Sequence, residues 1–274
     1  MNVWKNTEIL DEFLLQSSEL NVTNDKSSCS VAVLGSKAIN LDEFSNLKGI
    51  FRVGVGVDNV PVEKAEKRNI KIQTTSLETN EYIFEETADF TCYLIFRMLY
   101  SNSGSVDPWD VVIRPSPLSS KRLLIVGLGN IGKRVKTKMS NFMNVESFDV
   151  LNNSISDLDK KLLKADYVSL NFPLTKKNVN FFNRARLSKM KTGSVLINTA
   201  RAGIVCEDSL YEEIKNGRLS AAFDVLWQKP YNGKLKEFYP DRFFMTPHVA
   251  SKTKIYIKNS YEDLINFTQK LNND

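Results

Sequence analysis

The sequence predicts an α/β protein built on two parallel sheets, and three observations carry the prediction. Between Glu8 and Tyr100, short apolar runs alternate with stretches of helical periodicity. A second alternating series begins at a buried run, Leu123 to Val126, that enters Gly127-x-Gly129-x-x-Gly132 and then a basic helix start. A stretch rich in Ser, Pro and Gly, 101–120, separates the two series. Strands that alternate with helices pair in parallel, because each helix carries the chain back across the sheet.

Taken in order, 8–20 has apolar residues at helical spacing, 30–34 (SVAVL) is a short buried strand, and 41–47 reads as a helix. The run GIFRVGVGV at 49–57 reads as a strand ending in a glycine loop, 62–68 as a helix, and 70–74 as a strand. At most, 1–4 can form a strand ahead of these. A long, largely apolar helix is expected over 81–100, then a loop or linker. In the second series, strands are expected at 167–171, 194–198, 221–225 and 243–245, with helices at 156–165, 184–190 and 208–216 between them. Asn216-Gly217 is a helix stop. A final helix over 255–271 can return to the first unit.

Composition excludes several classes. The chain has 274 residues, 42% of them apolar, and no apolar run approaches the ~20 residues a membrane helix needs. The N-terminal segment lacks a signal-peptide core. The three cysteines, Cys29, Cys92 and Cys206, lie far apart, so neither a disulfide framework nor a metal site is expected, and a reducing cytoplasm is the simplest setting. The net charge of +5 is spread along the chain. Its densest cluster, Lys133, Arg134, Lys136 and Lys138, reads as a solvated helix face; no aromatic residues interleave with it, so no nucleic-acid partner is expected. His248 is the single histidine, hence the one candidate for acid–base chemistry through imidazole.

The glycine run has the spacing of a dinucleotide-binding βαβ unit. Gly127 permits the tight turn, Gly129 lets backbone approach a pyrophosphate, and Gly132 lets the helix pack closely on the strand. The helix start that follows offers free N–H groups and a positive dipole, which suit phosphate. A second apolar stretch, VESF, ends in Asp149. A carboxylate there can accept hydrogen bonds from ribose hydroxyls and would repel an added 2′-phosphate, which favours NAD over NADP.

Further motifs resemble the D-isomer-specific 2-hydroxyacid dehydrogenases. They are RVGVGVDN at 52–59, Asn80 followed by Glu86, LINTARAGIV at 196–205 and TPHVA at 246–250, with minor matches in NFPLT at 171–175 and AFDV at 222–225. Order and spacing hold over most of the chain. The resemblance implies two Rossmann/flavodoxin-like domains: a split substrate domain over 1–96 plus 253–274, and an inserted NAD-binding domain over 97–252. It implies hydride transfer between nicotinamide and a small 2-hydroxy or 2-oxo acid, and a homodimer. Arg201 would clamp the substrate carboxylate, a geometry that suits a planar guanidinium. Arg52 and the backbone N–H groups of Val55 and Gly56 would complete the substrate site, and His248 would exchange a proton with the substrate oxygen. Thr199 and Asp224 would join Gly127, Gly129, Asn130, Ile131, Gly132 and Asp149 on the cofactor. Alone, each has a plainer reading: Arg201 as a surface or cap arginine, His248 as a structural histidine, and the Gly54/Gly56 loop as a strand-end turn.

Departures from the pattern bear on function. The family pairs its histidine with a glutamate before a proline; here DVLWQKP at 224–230 puts Lys229 at that position. A carboxylate there stabilises imidazolium, whereas an ammonium lowers the histidine pKa, at ~1.4 kcal/mol per unit. Formate dehydrogenases of the same superfamily carry glutamine there. Three outcomes stay open: Lys229 faces solvent while Gln228 or Glu237 supports His248; it binds an acidic group of an unusual substrate; or efficient turnover is lost and the chain is an NAD-binding regulatory or assembly protein. The short stretch between Asp149 and the next helix leaves little wall for adenine. Gly35 stands where phosphoglycerate-using members carry an arginine, so a phosphorylated substrate is not indicated. Cys206 replaces a common aspartate at a helix start, as a packing or cap change.

Overall fold

A computed structural model describes residues 1–101, 104–112 and 116–273. The chain divides into two compact units, Met1–Ile83 with Ser251–Asp274, and Phe84–Ala250.

The first unit holds five parallel strands, β1 (Asn2–Lys5), β2 (Asn21–Val22), β3 (Val31–Leu34), β4 (Gly49–Arg52) and β5 (Lys71–Thr74), in the order β2-β1-β3-β4-β5. This is the flavodoxin-like winding. Successive side chains of a strand point to opposite faces, so each strand feeds two cores. Val3, Val31, Val33 and Phe51 pack with α1 (Asp11–Leu14) and with α8 (Lys254–Asn273), through Leu10, Leu14, Leu264 and Phe267. Ala32, Leu34 and Ile50 pack on the other face with Phe44 and with Ala65 of α2 (Val62–Lys67). The C-terminal helix therefore belongs to the first unit. Its Asp263 carboxylate accepts from Ser76 N–H at 2.9 Å and Thr79 Oγ1 at 2.7 Å, at the start of α3 (Leu77–Leu99).

Several elements are shorter than their patterns. The helix expected over 8–20 is only α1, because Ser17 Oγ accepts from the N–H groups of Glu19 and Leu20 and turns the chain. The helix expected over 41–47 is a single 3-10 turn, Leu41–Glu43; Arg68 takes the carbonyls of Leu41 and Phe44 that a longer helix would use. The strand expected over 49–57 stops at Arg52, and Gly54 then adopts φ +123°. Conversely, the first residues form a full strand with a neighbour on each side.

In the second unit, six parallel strands run β13-β12-β11-β10-β8-β9: β8 (Arg122–Val126), β9 (Asn144–Phe148), β10 (Tyr167–Leu170), β11 (Ser194–Asn198), β12 (Leu219–Phe223) and β13 (Phe243–Met245). Leu123, Ile125, Val195 and Ile197 face α3 and α4 (Asn130–Met139). Leu124, Val126, Val168 and Leu196 face α5 (Ile155–Leu162), α6 (Arg184–Leu187) and α7 (Glu207–Lys215). The winding reverses between β8 and β10, so the connections leaving the carboxyl ends of those strands run in opposite directions and leave a crevice where ligands bind in such sheets. The expected linker at 101–120 lies partly outside the described residues, at 102–103 and 113–115. Within it, Gly104–Val106 (β6) and Trp109–Val111 (β7) form an antiparallel hairpin rather than a loop. Val106 and Trp109 are directly paired, and both are over 80% exposed.

Leu264 is fully buried whereas Leu15 is exposed. Leu264→Ala is expected to cost about 2–5 kcal/mol by denaturant titration, and Leu15→Ala less than about 0.5 kcal/mol. Equal costs would contradict the placement of α8 in the first core.

Candidate active site

The glycine turn sits at the carboxyl end of β8. Gly127 has φ +95°, and a Cβ there would lie 2.7 Å from the Asn171 carbonyl oxygen at the end of β10. At Gly132 a Cβ would come 1.9 Å from the Gly127 carbonyl oxygen, so only glycine lets α4 approach the turn. Gly129 differs, since a Cβ there would meet nothing within 4 Å. The space beside it is open, and Gly129 caps α4 without any side-chain hydrogen bond. The N–H groups at the start of α4, around Asn130 and Ile131, thus open onto free space, as the pyrophosphate of a dinucleotide requires.

Asp149, half-buried at the end of β9, accepts from Leu128 N–H at 2.8 Å through Oδ2 and from Leu151 N–H at 3.0 Å through Oδ1. It ties the second strand to the glycine turn. Each carboxylate oxygen has a further lone pair for a ribose hydroxyl.

At the end of β11 the buried Asn198 shapes the next turn. Its Nδ2 donates to the Arg201 carbonyl at 2.9 Å, and its Oδ1 accepts from Ala200 N–H at 3.0 Å. Arg201 is half-buried, and its guanidinium also donates to the Ala200 carbonyl at 2.8 Å. Thr199 Oγ1 lies 2.8 Å from Thr91 Oγ1 of α3. Neither Asn198 nor Thr91 was singled out from the sequence. Asn198 carried a signal, a polar residue closing an otherwise apolar strand.

The third part of the site rests on Asp224, just past β12. Only 1% exposed, its carboxylate accepts from Thr246 Oγ1 at 2.6 Å, Val249 N–H at 2.8 Å and Ala250 N–H at 3.0 Å. Burial pushes the Asp224 carboxyl pKa up; those three donors and the nearby Lys229 charge pull the other way. The carboxylate holds the 246–250 loop on both sides of His248, which sits in the left-handed region at φ 62°. That conformation is unfavourable for a residue with a Cβ and persists where surrounding contacts impose it.

Lys229 lies on the segment after Asp224. Trp227 anchors that segment, donating from Nε1 to the Val205 carbonyl at 3.0 Å and stacking on Phe223. Tyr231, 7% exposed, anchors its other end through a 2.7 Å hydrogen bond to Glu207. Between these anchors Gln228, Lys229 and Pro230 are exposed, and Lys229 Nζ stands 2.7 Å from His248 Nδ1. Glu237 pairs instead with the Tyr211 hydroxyl. Cys206 is the N-cap of α7 and makes no side-chain cap hydrogen bond.

In the first unit, the buried Arg52 closes β4. Its guanidinium donates to the Val53 carbonyl and to Asn59 Oδ1 at 3.3 Å. A Cβ on Gly54 would lie 2.8 Å from Arg52 Nη1, so glycine is what lets the arginine fold over its own loop. Val55 is exposed and Gly56 half-exposed on that loop.

The family model "D-isomer specific 2-hydroxyacid dehydrogenase, NAD binding domain" matches residues 102–250. The chain belongs to the D-isomer specific 2-hydroxyacid dehydrogenase family. It is 30% identical to the hydroxypyruvate reductase of Thermotoga maritima over 76% of this chain and 72% of that one. It is 33% identical to the glyoxylate reductase of Thermofilum pendens over 78% of this chain and 68% of the relative. Its fold is similar to that of D-lactate dehydrogenase from Aquifex aeolicus, solved with NAD and lactic acid: TM-score 0.79 at 22% identity, covering 98% and 94% of the two chains. The matched NAD-binding residues, 102–250, lie within the second unit, and the glycine turn fits that cofactor.

Asp224→Asn keeps the side-chain size but sets an amide N–H where a carboxylate oxygen accepted. The substitution is expected to cost about 1–3 kcal/mol in denaturant titrations. An unchanged midpoint would contradict the assignment of the 246–250 loop to this carboxylate.

Proposed function

We propose that the chain interconverts a small, unphosphorylated D-2-hydroxy acid and its 2-oxo acid, with NAD as the redox partner. The observation that carries this reading is the placement of His248. A buried carboxylate holds it on strained backbone at the same carboxyl end of the parallel sheet as the glycine turn and Arg201. The bound cofactor supplies or accepts the hydride. Arg201 would bind the substrate carboxylate and draw electron density from the carbonyl, and His248 would exchange the proton with the substrate oxygen. Asp149 would hold the ribose hydroxyls and Thr199 the nicotinamide end, where Asp224 acts through the loop it fixes. Arg52, Val55 and Gly56, with the remainder of 1–96 and 253–274, would belong to the substrate domain, and 97–252 would be the NAD domain. At Gly35 a Cβ would meet Thr7 at 2.7 Å, which leaves no room for a phosphate-binding arginine and supports an unphosphorylated acid.

A homodimer in the cytoplasm belongs to the same proposal. The exposed Val106, Trp109 and Val111 of the hairpin are side chains that such an interface would cover. Among the described residues, no helix is long and apolar enough to cross a membrane.

A second reading, an NAD-binding regulatory or assembly protein with weak turnover, is favoured by one observation: an ammonium rather than a carboxylate stands against His248.

The two readings separate in an assay of glyoxylate, hydroxypyruvate and pyruvate with NADH and NADPH, followed by absorbance. The oxidoreductase reading expects turnover with at least one acid, preference for NADH, a D product, and kcat/KM lowered on the order of 100-fold in Arg201→Met. NADH binding without turnover of any 2-oxo acid would overturn it in favour of the regulator.

A further inference from the structure

Lys229 and His248 make a contact with a defined proton order. A lysine ammonium has donors and no acceptor. At 2.7 Å it donates to His248 Nδ1, and a ring that accepts at Nδ1 is neutral and carries its proton on Nε2. A carboxylate at the same place would demand the opposite arrangement, with a proton on Nδ1. The contact is held from both ends. Val249 and Ala250 N–H groups tie the histidine loop to Asp224, and Trp227 and Tyr231 anchor the segment that carries Lys229. Asp224 feels the Lys229 charge, and its own donors occupy its carboxylate. Lys229 is exposed, so its amine can exchange protons with water.

Building on the 2-oxo acid reading above, we infer that Lys229 and His248 form a proton relay in which the imidazole stays neutral and switches tautomer. In reduction, C2 of the 2-oxo acid receives a hydride, with its electron pair, from the reduced nicotinamide cofactor. The carbonyl π bond breaks toward oxygen, and that oxygen takes the proton from His248 Nε2. His248 Nδ1 takes a proton from the Lys229 ammonium as the N–H bond at Nζ breaks. The products are the 2-hydroxy acid, the oxidised cofactor, a neutral imidazole protonated on Nδ1, and a neutral lysine amine; the pair resets when Nε2 takes a proton from water and Nδ1 returns its proton to Lys229 Nζ. One proton and one hydride are consumed, as overall reduction requires. A nascent alkoxide is far more basic than an amine, so both transfers run downhill. An ammonium donating to neutral imidazole holds as many deliverable protons as an imidazolium beside a carboxylate. The substitution at position 229 therefore changes where the proton is stored, not whether there is one. Lys229 acts through His248 and is a positioning residue that also replenishes the proton.

The test uses the fact that the chain has a single histidine, so 15N-histidine labelling gives one imidazole. In full-length protein near neutral pH, long-range proton–nitrogen NMR is expected to show a protonated Nε2 and an unprotonated Nδ1. Lys229→Met is expected to shift this toward a mixture of tautomers, and Lys229→Glu to give two protonated nitrogens. In the turnover assay, Lys229→Met is expected to lower kcat on the order of 100-fold with little change in KM. Lys229→Arg is expected to keep the Nε2–H tautomer yet stay slow, since a guanidinium does not release its proton. Two protonated nitrogens in the natural protein, or spectra indifferent to Lys229→Met, would overturn the relay while leaving the oxidoreductase reading intact. An arginine variant as fast as the natural protein would reduce Lys229 to positioning alone and overturn the relay as well. The expected spectra with no turnover of any 2-oxo acid would overturn the oxidoreductase reading, and with it the use of the pair as a relay.

Discussion

The hydrogen bonds to the buried carboxylate of Asp224 are the constraint on which the rest of the site depends. Three donors from the 246–250 loop converge on it, and the loop has no regular secondary structure of its own to hold His248 in the left-handed region. Burying a carboxylate is costly, and these donors offset that cost only while the loop keeps this shape. The strand before Asp224 matters for the same reason. β12 lies between β11 and β13, so the carboxylate emerges from the interior of the sheet with its position set by neighbours on both sides.

Backbone proximity supplies the complementary constraint at the other end of the second unit. Gly127 and Gly132 are crowded by carbonyl oxygens, whereas Gly129 faces open space. The crowding compacts the turn, and the opening leaves the start of α4 accessible. Asp149 links the two by holding Leu128 N–H. The acid proposed to hold the ribose is thereby also a brace for the glycine turn, which would couple cofactor affinity and cofactor preference through one side chain.

Much of this was legible in the residues, for reasons that differ by element. The glycine turn and its flanking strands were readable because the requirements are local: φ at Gly127, contact distance at Gly132, apolar continuity in β8. The packing of α8 on the first sheet is carried by buried Leu264 and Phe267, apolar residues three apart on one helix face. Side-chain competition was not readable. Ser17 and Arg68 shorten two expected helices by taking backbone groups, and nothing in a periodicity pattern announces that. The hairpin was hidden among Ser, Gly and Pro, although β-branched Val106 and Val111 beside Trp109 were its signal. At Lys229 the departure was plain from the sequence, but its meaning was not. Which way the lysine points is set by the anchoring of Trp227 and Tyr231, a tertiary matter, and that anchoring turns it toward the imidazole.

The most direct measurement is a crystal structure of the protein with NADH and oxamate, an unreactive analogue of a 2-oxo acid. The oxamate carboxylate is expected on the Arg201 guanidinium, its carbonyl oxygen within hydrogen-bond reach of His248 Nε2, and Lys229 Nζ still on Nδ1. Lys229 on the oxamate carboxylate, with His248 Nδ1 released, would contradict the relay and make the lysine a substrate-binding group instead.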